Sequence, residues 1–74
     1  SEKKLINFPS RQKQKIVVLR KIVQSLEHDH VYNEKELNKV LKTIYDDYAV
    51  IRRYLIEYGF LNRKPDGSEY WLNK

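Results

Sequence analysis

The spacing of apolar residues changes once along this chain, at Gly59. Before it, apolar residues recur every three or four positions in separate runs; after it, two short segments flank Pro65-Asp66-Gly67-Ser68. The first pattern is that of amphipathic helices and the second that of a tight hairpin. The 74 residues include no cysteine, so neither a disulfide nor a cysteine-ligated zinc ion supports the fold. One small domain must therefore be held by its apolar residues, 41% of the chain, among them six tyrosines. No apolar run approaches the roughly 20 residues of a membrane span, and no signal-peptide core is visible, so a cytoplasmic setting is expected. The chain has no methionine, so Ser1 is not an untouched translation start. A processed chain, or a domain cut from a longer one, is expected.

Residues 1–8 read as a polar lead whose Leu5, Ile6 and Phe8 drape over the core, and residues 9–74 as one domain. Pro9-Ser10 reads as a stop followed by a helix N-cap. Ile16, Val17, Leu19, Ile22, Val23 and Leu26 then mark one helical face, which His28-Asp29-His30 breaks. Val31-Tyr32 is a short extended stub. Asn33 and Glu36 form a capping box ahead of a second helix carrying Leu37, Val40, Leu41 and Ile44. Asp46 or Asp47 caps a third helix with Tyr48, Ile51, Tyr54, Leu55 and Tyr58 on one side. Gly59 is its left-handed C′ residue, and Phe60 closes a Schellman motif. In the tail, proline at the second turn position with glycine two later marks a tight turn, and Tyr70-Trp71 suit a strand.

The order is helix, stub, helix, helix, strand, turn, strand. That is the order of a winged helix-turn-helix, an α+β fold with a three-helix core and a C-terminal β-hairpin wing. The stub is where a third strand would join the hairpin. The alternative is an unrelated three-helix bundle with a hairpin tail.

The charge balance, 15 basic to 10 acidic residues, favours a polyanionic partner. It is uneven: residues 1–25 carry a net +6, residues 26–50 a net −3 and residues 51–74 a net +2. On the third helix, Ala49, Arg52, Arg53 and Ile56 face outward, and arginine bridges guanine edges or clamps phosphate. Solvated pairing of Arg52 and Arg53 with Asp46, Asp47 or Glu57 is the competing reading. Asp46 and Asp47 also place carboxylates at the helix end that normally approaches DNA. Arg63 and Lys64 at the wing base could reach a backbone phosphate, or simply guard an edge strand. Lys39 and Lys42, with Lys35, lie away from the apolar face of the second helix, which crosses the backbone in a helix-turn-helix. Arg11, Lys13 and Lys15, following Lys3 and Lys4, oppose the macrodipole of the first helix, a cost that a bound anion would offset.

No nucleophile motif and no glycine-rich phosphate loop is present, so no enzyme and no cofactor is expected. His28 and His30 lack the partners and spacing of a metal site. Tyr48, Tyr54 and Tyr58 track the apolar stripe, which argues for core and against single-strand stacking platforms. Tyr45 either covers the inter-helix turn or faces nucleic acid.

Phe8-Pro9-Ser10, Asp46-Asp47-Tyr48-Ala49, Ile51-Arg52-Arg53-Tyr54-Leu55, Tyr58-Gly59-Phe60-Leu61, Asp66-Gly67 and Tyr70-Trp71 follow one another in the chain. Together they resemble a small bacterial domain family of unknown function, found alone or attached to transcriptional regulators of the arsenical-repressor type. The resemblance spans roughly Phe8 to Trp71. It implies a winged-helix fold and a role in transcription, with Arg52, Arg53 and the Phe8-Pro9-Ser10 segment as signature. It implies no established activity. This sequence has Tyr45 where histidine is expected in the turn before the Asp pair.

Two functions are therefore expected to compete. The first is double-stranded DNA binding by a bacterial transcriptional regulator. The second is a non-enzymatic interaction module that docks an acidic protein surface. A homodimer would supply the second copy that a palindromic site needs, but no coiled-coil or dimerisation helix is evident.

Overall fold

The computed structural model describes residues 7–73. Three helices, α1 (Gln12–Val23), α2 (Glu34–Lys42) and α3 (Tyr48–Glu57), precede an antiparallel hairpin of β1 (Leu61–Arg63) and β2 (Tyr70–Leu72). This is the winged-helix α+β architecture. No helix among the described residues is long and apolar enough to cross a membrane.

Helix α1 differs from expectation at its start. Arg11, not Ser10, is the N-cap, and its side chain makes no capping bond. The first intrahelical bond runs from the Lys15 N–H to the Arg11 carbonyl at 2.9 Å. Phe8 is anchored on Tyr54, and the chain needs Pro9 to Arg11 to pass from that anchor to the first turn. Leu19 and Ile22 bury the inner face, and Leu26 follows in the turn beyond the helix. Val17 was expected on that face, yet it is 61% exposed. The stripe is narrower than the full apolar pattern because the three-residue and four-residue steps from Leu19 exclude it. Leu5 and Ile6 lie outside the described residues.

Helix α2 starts as its sequence demands. The Asn33 side-chain oxygen accepts from the Glu36 N–H at 2.8 Å, and the Asn33 N–H donates back to Glu36 Oε1 at 3.0 Å. Leu37 and Leu41, one turn apart, are both fully buried. At α3 the cap is Asp47, whose carboxylate accepts from the Val50 N–H at 3.4 Å. Ile51 and Leu55 turn inward, again four residues apart.

The exit from α3 is the Schellman motif. The Phe60 N–H donates to the Leu55 carbonyl at 2.8 Å and the Gly59 N–H to the Ile56 carbonyl at 3.1 Å. Gly59 takes φ +82°, which an L side chain resists. The hairpin pairs Leu61 with Leu72, Asn62 with Trp71 and Arg63 with Tyr70. Its turn is closed by the Gly67 N–H on the Lys64 carbonyl at 2.9 Å. Asp66 accepts from both the Ser68 N–H and its hydroxyl, at 2.9 and 2.7 Å, so the turn is braced from inside.

The stub joins the wing through one residue. Tyr32 exchanges two backbone bonds with Tyr70, at 2.7 and 2.8 Å, while Val31 is 52% exposed and outside the bridge. Leu19, Leu37, Leu41, Ile51, Leu55 and Leu61 are the largest fully buried side chains. Each comes from α1, α2, α3 or β1, so one core joins helices and wing. Among the described residues no buried side-chain polar atom lacks a partner.

Candidate nucleic-acid interface

The core forces α3 and the hairpin side by side, and a groove of about 430 Å³ lies between them. Ala49, Arg52, Arg53 and Ile56 form its helical wall; Arg63, Pro65 and Gly67 form its hairpin wall. The structure thus brings together five residues singled out in the sequence: the four of α3 and Arg63. Glu34 and Asp66 also line the groove, so it carries both signs of charge.

The three arginines are held differently. Arg52 is half-buried. Its Nη1 donates to the Asn38 side-chain oxygen on α2, and its guanidinium carbon lies 5.9 Å from the Tyr70 ring centre. Tyr70 in turn directs its hydroxyl to Glu34 Oε1 at 3.5 Å. Arg52 is therefore a tie between α2, α3 and the wing. Arg53 stands outward, its side chain 78% exposed, with Nε 3.7 Å from Glu57 Oε2 one turn on. Arg63 Nη1 folds back on the wing turn and donates to the carbonyls of Lys64 and Pro65, at 3.4 and 3.2 Å. Of the pairings weighed from sequence, Glu57 takes Arg53, whereas Arg52 is held by neutral Asn38.

The remaining cations lie elsewhere. Lys64 pairs with Glu69 at 3.5 Å and is not part of the groove lining. Lys39 and Lys42 share a separate shallow depression with Lys35 on α2. These three lysines, four and three residues apart, make one helical stripe. Arg11 caps α1, and Lys13 lines a third, apolar depression with Phe8, Pro9 and Val17. Lys15 is turned inward instead: its Nζ lies 4.5 Å from the Tyr54 ring centre and 3.4 Å from the Tyr54 hydroxyl. Among the described residues the candidate cations thus do not share one face: Arg52, Arg53 and Arg63 line the α3–wing groove, Lys35, Lys39 and Lys42 the depression on α2, and Lys13 the apolar depression beside α1.

Behind α3 the aromatics pack as expected of core. Phe8 stacks on Tyr54 at 5.2 Å and 10°, and Tyr45 lies 6.2 Å from Phe8. Tyr45 therefore covers the turn. Sequence reasoning did not single out Asn38, Glu34 or Tyr70 for the groove. The one available signal was that Asn38 directly borders the Leu37–Leu41 stripe, where a polar residue needs a partner.

Two carboxylates near this surface are tuned by local bonds. The Asn33 N–H, assisted by His30 at 3.5 Å, holds Glu36 below its ordinary pKa. The Ser68 hydroxyl and N–H do the same for Asp66, with help from Lys64. Both therefore stay ionised at neutral pH.

Neither the curated proteins nor the solved structures contain a match to this chain. A family model described as "uncharacterized protein conserved in bacteria (DUF2087)" matches residues 4–72. With a winged-helix architecture and a match that runs through nearly all of its length, the chain belongs to the DUF2087 family of bacterial domains.

Proposed function

We propose that this domain binds double-stranded DNA through α3 and its wing, as the DNA-binding module of a bacterial transcriptional regulator. The observation that carries the reading is the groove in which Ala49, Arg52, Arg53 and Ile56 face Arg63 across one concavity. In this reading α3 enters the major groove, and Ala49 lets the helix approach closely. Arg53 reaches toward bases or phosphate, and Arg63 leaves its turn carbonyls for a backbone phosphate. The side chains of Lys35, Lys39 and Lys42 make no hydrogen bond or ion pair with the described residues, which leaves them for phosphates flanking the site. Arg52 acts from behind, as a positioning residue. The family's bacterial distribution, and the resemblance to domains carried by arsenical-repressor-type regulators, fit the same setting. The reading includes no catalysis.

A second reading is favoured by one specific observation. Glu34 and Asp66 line the groove, and Asp47 caps the end of α3 that would enter DNA. Carboxylates repel phosphate, so the same groove could dock a protein surface that offers acids to Arg53 and Arg63 and bases to Glu34 and Asp66. Amide shift mapping with a mixed-sequence duplex separates the two. The DNA reading expects perturbations across α3, the wing and α2 together. Perturbations confined to α1, or none with the domain folded, reject it.

A further inference from the structure

The outward row of α3 is Ala49, Arg53 and Glu57, each four residues from the next and all exposed. Among these, Arg53 alone carries hydrogen-bond donors in its side chain. Arg52, its neighbour, is occupied by Asn38 and Tyr70 and stays behind the row. The end of α3 that precedes the row is closed by the Asp47 carboxylate on the Val50 N–H. Hydrogen-bond donation to a base edge from this outward row therefore narrows to Arg53.

The way Arg53 is held defines what it reads. Glu57 engages it through Nε, at 3.7 Å. An arginine has five N–H donors in a planar fork, and a contact at Nε leaves both terminal amino groups available to another partner. Two adjacent donors match two adjacent acceptors. In the major groove, guanine alone presents that pair, O6 and N7. At 3.7 Å the contact with Glu57 is an ion pair between exposed side chains at i and i+4, which biases Arg53 to lie along the helix toward Glu57.

We infer that Arg53 reads a single guanine through its two terminal amino groups while Glu57 holds it by Nε, the remaining contacts being to phosphate. The inference rests on the duplex-binding reading above. It makes the domain a weakly selective DNA binder whose hydrogen-bond donation to bases is confined to one base pair. Glu57 is a positioning residue with two opposed effects. Its charge repels phosphate, and its carboxylate orients the reader.

The test is selection from a pool of randomised duplexes, followed by anisotropy titration of the enriched duplex and of versions with the guanine pair replaced. The intact chain should enrich one required guanine, and its replacement should weaken binding by roughly 5- to 150-fold. Arg53→Ala should abolish that ratio while still binding DNA. Glu57→Gln should bind every duplex more tightly at low salt yet discriminate guanine less, a split that loss of folding does not produce. Both residues are exposed, so each variant should fold, which circular dichroism checks. The inference is overturned if duplexes bind without a required guanine, or if the Arg53→Ala variant keeps the same ratio. If no duplex binds at all, the DNA reading itself fails and takes the inference with it.

Discussion

Arg52 of α3 donates through Nη1 to the side-chain oxygen of Asn38 on α2, and the same guanidinium faces the Tyr70 ring of the wing. One side chain thus fixes the distance between the two helices and the seat of the hairpin. A planar, delocalised cation does this where an ammonium does not. Arg52→Lys and Asn38→Ala should each destabilise the fold by about 1–2 kcal/mol, because each leaves a half-buried polar group without its partner. Urea unfolding checks the magnitude. The double variant should cost less than the sum of the two, since both remove the same bond.

The stack of Phe8 on Tyr54 makes a second prediction. Phe8→Ala should cost about 1–2 kcal/mol, through lost apolar burial and the aromatic pair. Tyr54→Phe keeps the stack and loses only the hydroxyl contact with Lys15, at about 0.5 kcal/mol or less. Thermal unfolding of the two variants distinguishes ring packing from the hydrogen bond.

Gly59 isolates backbone strain from crowding. Its φ is +82°, yet a Cβ built there meets nothing within 4 Å. Gly59→Ala should therefore cost about 1–2 kcal/mol from conformation alone. Gly59→Asn should cost less, because asparagine tolerates the left-handed region. Equal losses in urea unfolding would point to a steric cause instead.

What the sequence made legible follows from range. The capping box at Asn33 and Glu36, the Gly59-Phe60 exit and the Pro65–Gly67 turn each depend on residues within five positions, and all are present. The order of elements followed from these signals, and with it the fold. The N-cap of α1 was not legible, because Phe8 docks on a residue 46 positions later and resets where the helix begins. The role of Arg52 was hidden for the same reason. Helical wheeling places it outward, but only the packing of α2 on α3 brings Asn38 beneath it. Five α3 and wing residues were found by pattern. The carboxylates of Glu34 and Asp66 in their midst were not, since Glu34 arrives from the start of α2.

Acid should weaken the domain in a defined direction. Glu36 and Asp66 both have folded pKa values below the ordinary ones, held there first by the Asn33 N–H and the Ser68 hydroxyl respectively. Their contribution is complete above the ordinary carboxylate range, about pH 4, and disappears as pH falls through the depressed folded values. Melting temperature should therefore fall on acidification in that window. Glu36→Gln and Asp66→Asn should each flatten the fall, which a melting series across acidic pH would show.

The most direct test of duplex binding by α3 and the wing is the salt dependence of anisotropy with a labelled mixed-sequence duplex. Contacts to about four to six phosphates predict that log K falls with log salt at a slope of about −4 to −5. Replacing Arg63 by alanine should reduce that slope by about one unit, at about 0.9 per phosphate contact. Replacing Arg11 and Lys13 should leave it unchanged. A folded protein that shows no binding at low salt, or a slope that the Arg63 replacement does not alter, would contradict the account.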